Sequence, residues 1–489
     1  MAKITTIIDI GSNSMRMVVL KKTSRFGFHL INESKCKVKI SEGSYQNGGN
    51  LQPIPMQRAY DALKSFLNIS TALKSRKILC VATSALRDAP NKAEFVLRIK
   101  NELGLNIKVI DGSKEAYYGG VAALNLLHSD NFVTVDIGGG STEFAIVKNK
   151  KIVDFVSLDI GTVRLKELFF DNDDLIGAKE YILQELKKVS SENMQEISTV
   201  VGIGGSIRAI SKLFMQDMSY PLDVLHGFDY KYKDHKSYFE DIISAKNEGD
   251  LKKLGVKRDR FDTIKEGAFI FDAILDYFSI ENVVTSGVGV REGVYLCDLL
   301  RNQNDKFPSN FNLSVRTFID RFELDSKLTA YLGNNASKIF QALKPLHNLD
   351  NKYGSLLVVA SKLYSVGVTL NFYKYSENSF DFILNGLNYG FSHSDKVLIA
   401  HMIKYSKNSL PVGDDLKEFK ELLPDTWIVQ WLSFMLSLNV ALNSDYSKRK
   451  YEYLLDKNEL TISDNDIPYL IRENVDKLEV PIGLRLVIS

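Results

Sequence analysis

Thr6-Ile7-Ile8-Asp9-Ile10-Gly11-Ser12-Asn13-Ser14 is echoed 127 residues later (position 9 to position 136) by Thr134-Val135-Asp136-Ile137-Gly138-Gly139-Gly140-Ser141-Thr142. Each copy is a β-branched run ending in Asp-Ile-Gly, then small residues, then a second apolar run, at 17–20 and at 144–147. The pattern predicts strand, tight turn, strand, with glycine supplying backbone angles that other residues avoid. A repeat this long is a whole domain and excludes a solenoid. Two similar α/β domains facing one another are the expectation.

Around this pair the chain alternates helical and extended patterns. Helices are predicted at 56–73, 92–103, 178–189, 263–278 and 291–300, and strands at 77–83, 107–110, 199–203 and 282–285. Alternation of this kind marks α/β architecture. Residues 301–312, rich in Asn, Asp, Gln and Lys, read as a linker. Helical periodicity dominates 324–431, and a short β-like tail covers 451–462 and 484–488. The expected domains are 1–124, 125–302 and 303–489.

Bulk properties narrow the function classes. With 489 residues, three domains are a reasonable prior. A formal net charge of +2 gives no global attraction for polyanions, so affinity for phosphate must be local and duplex nucleic acid is not an expected partner. Three scattered cysteines, Cys36, Cys80 and Cys297, build neither a disulfide framework nor a zinc set, which suits a reducing cytoplasm. Asp9 and Gly11 interrupt the first apolar segment, and the run at 431–442 carries Ser433, Ser437 and Asn439 and is too short to span a bilayer. It reads as a buried helix, and no membrane partner is expected.

A turn of small residues between strands points several backbone N–H groups one way and makes an anion-binding concavity. Gly11, Ser12, Asn13 and Ser14 fit that description, as do Gly138, Gly139, Gly140, Ser141 and Thr142. One such turn alone is as readily a plain hairpin, but two copies, each preceded by Asp, favour phosphate. In a third loop, Gly204, Gly205 and Ser206 join a strand to a helix start, whose free N–H groups suit an anion. A fourth glycine cluster, 286–293, again joins strand to helix. Asp9, Asp136 and Glu143 are acidic residues beside presumed phosphate loops. Either they cap turns or a cation sits between them, and magnesium suits a few carboxylates plus phosphate oxygens and water.

At these loops the sequence resembles the exopolyphosphatase/guanosine-pentaphosphatase family. The motifs are Asp9-Ile-Gly-Ser-Asn-Ser14, Ala82-Thr-Ser-Ala-Leu-Arg87, Glu115-Ala116, Asp136-Ile-Gly-Gly-Gly-Ser-Thr-Glu143, Gly202-Ile-Gly-Gly-Ser206 and Gly289-Val-Arg-Glu-Gly293, with Gly161-Thr-Val-Arg164 and His226-Gly227 as further matches. The resemblance implies two actin-like, ribonuclease H-like α/β domains with a cleft between them, followed by an α-helical HD-like domain. It also implies a cytoplasmic, magnesium-dependent hydrolase, by analogy a homodimer, that cuts the terminal phosphoanhydride of inorganic polyphosphate. Guanosine pentaphosphate is the alternative substrate. The rival classes are an actin-like sugar or acetate kinase and a polyphosphate or alarmone sensor without turnover.

By the same resemblance Glu115 is the general base that activates water, kept ionised by its place in a first helical turn. Arg87 is expected to grip phosphate oxygens in bidentate fashion, with Arg16, Arg164, Arg208 and Arg291 as further candidates. Lys39 stands where many relatives carry Arg and lacks its fork. In the HD-like region Tyr364-Ser365 replaces the metal-binding His-Asp pair. His347, His393 and His401 are therefore expected to be structural or polyanion contacts. Residues 372–375 with Lys396, Lys404 and Lys407 are either a guide for phosphate chains or a solvated face.

Overall fold

The computed structural model describes residues 3–489. Its contacts divide the chain into two compact units, one running to Phe311 and the other Asn312–Ser489.

In the first unit β1 (Ile4–Ile10), β2 (Met15–Lys22) and β3 (Phe28–Cys36) form an antiparallel meander. After α1 (Pro53–Ala72), β4 (Lys77–Ala82) pairs parallel with β1. Next come α2 (Ser84–Asp88), α3 (Lys92–Leu103) and β5 (Ile107–Val109), which extends the sheet on β4. The resulting strand order is β3-β2-β1-β4-β5. Five of the seven residues of β1 are buried because both faces of the sheet are covered, which explains why its residues are mostly β-branched on both faces.

The chain then passes through α4 (Gly112–Leu126) into a second sheet, so the boundary expected at 124 falls within a continuous helix. Here β6 (Phe132–Ile137), β7 (Thr142–Lys148) and β8 (Lys151–Leu158) repeat the meander. Helices α5 (Thr162–Leu168), α6 (Leu175–Leu186) and α7 (Ser191–Met194) lead to β9 (Thr199–Ile203), which pairs parallel with β6. Then follow α8 (Gly205–Asp217), β10 (Asp229–Lys231), α9 (Lys236–Ser244), α10 (Glu248–Lys253), α11 (Ile264–Tyr277), β11 (Asn282–Thr285) and α12 (Val290–Leu300). The order β10-β11-β9-β6-β7-β8 is that of the first sheet with one strand added at the edge. A duplicated meander followed by parallel strands is the arrangement expected of paired actin-like domains.

α4 and α12 pack against one another so closely that a Cβ on Gly293 would collide with the Tyr118 carbonyl. Each also lies on the sheet that follows or precedes it across the chain crossing: α4 on β7 and β8, α12 on β1.

The second unit is mainly helical: α13 (Leu313–Arg321), α14 (Ser326–His347), α15 (Asn351–Leu363), α16 (Tyr375–Gly386), α17 (His393–Lys404) and α18 (Thr426–Ala441). The tail adds β12 (Glu452–Asp456), β13 (Glu459–Ser463), α19 (Tyr469–Asp476) and β14 (Arg485–Ile488). Ser433, Ser437 and Asn439 of α18 are core residues: Asn439 donates to Leu332 O and Ser361 Oγ and accepts from Asn335. Among the described residues no helix is long and apolar enough to cross a membrane.

His347 and His401 are buried and bonded to backbone, at Phe340 O (3.1 Å) and Val397 O (2.8 Å), so they are packing elements. Lys396 is also buried, its Nζ on Asn388 Oδ1 at 2.9 Å. That removes it from any surface track for phosphate. All three cysteines are free.

Candidate active site

The two β-hairpins that open each sheet end in equivalent turns. Gly11 N–H donates to Ser14 O at 3.3 Å, and Gly138 N–H donates to Ser141 O at 2.9 Å. Neither glycine has a positive φ, contrary to the expectation that glycine supplies unusual angles here. What they supply is room, since a Cβ on either would stand 3.0–3.1 Å from that acceptor oxygen. The left-handed angle is needed at Gly204, φ +99°, where the chain turns from β9 into α8 beside Asp136. The two turns also approach one another, because a Cβ on Gly139 would lie 2.8 Å from Ser12 Cβ. Ser12 in turn shares a buried 2.9 Å hydrogen bond with Ser84.

A cavity of about 150 Å³ lies between these turns. Its walls include residues 11–14, Gly138, Gly139, Ser141 and residues 204–206. Gly140 and Thr142 do not face it. The Gly140 carbonyl accepts from Arg164 Nε at 2.8 Å, and the Thr142 hydroxyl donates to Ile160 O, so both brace the loop from behind.

Four carboxyls, Asp9, Glu115, Asp136 and Glu143, face the same space as four guanidinium groups, Arg16, Arg208, Arg260 and Arg291. The hairpins distribute them unequally. Across β1 and β2 Asp9 is paired with Arg16; across β6 and β7 Asp136 is paired with Glu143. Cross-strand partners share a sheet face, and like charges there repel. Burial, chiefly, pushes Asp9 up to about 6, with Arg291 and Arg16 opposing. Burial and then Asp136 push Glu143 up to about 7, and Asp136 is raised by burial as well. Ser157 Oγ donates to Glu143 at 2.8 Å.

Glu115 sits in the first turn of α4, whose N-cap Asp111 accepts from Lys114 N–H at 2.7 Å. The helix dipole does not set its ionisation. Burial and the neighbouring Glu143 hold its carboxyl well above the usual range, against the pull of Arg87. Arg87 is placed differently from the expectation too. Its Nη1 donates to Glu115 Oε2 at 2.9 Å and its Nη2 to Ser141 Oγ at 3.4 Å, so it holds the carboxylate rather than lining the phosphate cavity.

Of the other arginines, Arg291 pairs with Glu33 at 2.8 Å, and Arg208 Nε donates to Ser286 O at 2.7 Å. Arg164 lies outside the cavity walls, bridging Gly140 O, Asp88 and Asp159. Lys39, with a left-handed φ of 48°, pairs with Asp262 at 3.1 Å. Arg260 had no sequence signal, since it ends a short charged stretch (Arg258–Arg260) that reads as a solvated loop. Ser157 was missed with its strand, β8, whose alternating exposure marks a sheet edge.

Among the described residues no three His, Cys, Asp or Glu side chains gather closely enough to hold a metal by themselves. Asp9, Asp136 and Glu143 nevertheless face one cavity, and Asp9 Oδ1 is buried without a hydrogen-bond partner. An orphaned buried carboxylate oxygen next to two more raised carboxyls fits a cation that takes its remaining ligands from phosphate and water.

The model of the Ppx/GppA phosphatase family matches residues 18–302, and that of Ppx/GppA phosphatase domain III matches 312–475. The chain belongs to the Ppx/GppA phosphatase family. As a member it is a hydrolase acting on phosphoanhydride bonds. It is 26% identical over 475 residues to a guanosine-5'-triphosphate,3'-diphosphate pyrophosphatase of Pseudoalteromonas translucida, covering 94% of this chain and 90% of that protein. It is also 29% identical over 298 residues to a bifunctional 3-dehydroquinate synthase/phosphatase of Fusobacterium nucleatum, covering 57% of this chain and 44% of that one. Among solved structures, an Aquifex aeolicus Ppx/GppA member matches with TM-score 0.54 and 29% identity, over 62% of this chain and 99% of its own. An exopolyphosphatase from Cytophaga hutchinsonii matches with TM-score 0.57 and 22% identity, over 62% of this chain and 100% of its own, and so shares the fold.

Proposed function

We propose that this Ppx/GppA member removes the terminal phosphoryl group of inorganic polyphosphate in a magnesium-dependent hydrolysis. The observation that carries the reading is the convergence of four carboxyls and four arginines on one cavity walled by two facing glycine turns. The proposed domains 1–124 and 125–302 each contribute one turn.

The backbone N–H groups of the turns and the arginines stabilise negative charge building on the phosphoryl oxygens, the effect that contributes most to catalysis of such reactions. Glu115, oriented by Arg87, takes a proton from the attacking water. Oxygen bonds to phosphorus, the terminal anhydride P–O bond breaks, and orthophosphate and a shortened chain leave. Asp9, Asp136 and Glu143 would hold magnesium, which supplies charge neutralisation at the phosphate oxygens.

A second reading, guanosine pentaphosphate as preferred substrate, is favoured by the relative that matches over nearly its whole length. A further cavity of about 350 Å³ also touches Ser12, Asn13 and Thr263, and it sets Glu42, Glu167, Asp171 and Asp262 against Lys39 and Lys166. An excess of carboxylates is a poor path for a long polyanion. The deciding experiment is orthophosphate release from long-chain polyphosphate and from guanosine pentaphosphate, side by side, with and without magnesium. Faster release from polyphosphate supports the first reading and faster release from the nucleotide the second; no release from either would overturn both.

A further inference from the structure

The helical unit contains a cavity of its own, about 450 Å³, within the range of about 300–1,000 Å³ typical of small-molecule sites. Five stretches converge on it: the turn after α15, the start of α16, the turn after α17, the end of α18 with the turn that follows, and α19. Tyr364 and Ser365, standing where a metal-binding pair would be in an HD-like domain, are in its wall.

Three features define what such a cavity takes. The lining contains no Asp, Glu, His or Cys, so it offers no metal ligands of the usual kinds. Two of its four aromatic residues are open, with Phe372 64% and Tyr446 63% exposed at the wall. Such rings are stacking platforms that a flat ligand would cover. Beneath them the wall is rich in amide and hydroxyl groups, among them the accessible side chains of Asn408 and Asn474. The single charged residue of the lining is Lys407, whose Nζ stands 5.3 Å from the Tyr375 ring centre.

We infer that this cavity is a binding site for a purine nucleoside monophosphate, separate from the hydrolytic cavity of the first unit. The base stacks on the open aromatic rings, its N–H donors meet the accessible amides of Asn408 and Asn474, and the phosphate meets Lys407. A planar group with a hydrogen-bonding edge and one anionic end uses every feature of the lining. An aliphatic ligand would leave the amides unpaired, and a polyphosphate would meet only one cation.

The test uses the full chain and GMP, which has no phosphoanhydride to be hydrolysed. Amide hydrogen exchange with millimolar GMP should show protection at 405–408 and 440–446. Calorimetry should show at least tenfold weaker GMP binding in Tyr446→Ala and in Lys407→Ala, with polyphosphate hydrolysis unchanged in both. Guanosine should bind more weakly than GMP, and inorganic phosphate should give no protection in this region. Protection confined to 9–14 and 136–142, equal protection by inorganic phosphate, or no protection at all would each overturn the inference.

Discussion

Asp136 and Glu143 stand directly opposite one another on antiparallel strands, a half-buried and a buried carboxyl on one face of a sheet with no cation of the protein between them in register. The equivalent pair in the first hairpin is Asp9 with Arg16. One exchange of Arg for Glu therefore separates the roles of two otherwise matching turns. The first hairpin partly neutralises itself, and the second awaits a positive charge from outside. Glu143→Gln keeps the shape, can still accept from Ser157, and removes one charge. The magnesium concentration giving half-maximal orthophosphate release should rise about tenfold or more, as loss of a direct ligand does at least as much as loss of a supporting one. An unchanged midpoint would remove Glu143 from the metal site.

Glu115→Gln should lower kcat by about 10²–10⁴, the usual range for a general base, with KM little altered. Single-turnover orthophosphate release together with equilibrium polyphosphate binding separates the two effects. Wild-type kcat in the variant would dismiss Glu115 as the base.

Arg87 donates to Glu115 at 2.9 Å, and its planar fork reaches Ser141 as well. Arg87→Lys retains the charge without the fork. The expected result is a fall in kcat of at least tenfold with substrate affinity largely retained, because the residue positions Glu115 instead of binding phosphate. A variant that lost affinity while keeping kcat would show that Arg87 contacts the substrate.

Glu266, on α11, is almost fully buried, its Oε2 has no partner, and burial chiefly raises its carboxyl to about 7. The folded state therefore keeps the proton that the unfolded chain gives up near its ordinary value of 4.5. Burial costs nothing below that value, and the cost grows as pH rises to about 7 and is then constant. Glu266→Gln should stabilise the first unit by at most about 3 kcal/mol near pH 8 and by nothing near pH 4.5. Urea denaturation at the two pH values measures this; a gain of equal size at both would point to a cause other than the proton.

Much of the site was legible because its chemistry demands short-range patterns. A phosphate turn needs consecutive small residues, and a central strand covered on both faces needs a β-branched run with few polar breaks, so the hairpins around Asp9 and Asp136 were visible at once. β3 and β8 were not, because they are half-exposed edge strands whose polar residues, such as Asn32, Glu33 and Asp154, break the apolar signal. Arg260 was invisible for a related reason: an isolated arginine in a charged loop becomes a cavity residue only through the folding of distant segments. The ionisation of Glu115 was misread because a helix position gives the dipole but not the burial or the approach of Glu143, and here those two dominate. The cavity of the helical unit is formed by five separated stretches and has no local signature at all.

The crossing of α4 and α12 has a mechanical meaning. α4 carries Glu115, and α12 begins with Val290-Arg291, so this carboxyl and one of the cavity arginines ride on helices that meet backbone to backbone at Gly293 and Tyr118. Glu115 lies one helical turn before Tyr118, and Arg291 two residues before Gly293, so both hang from a contact that any side chain at position 293 would force apart.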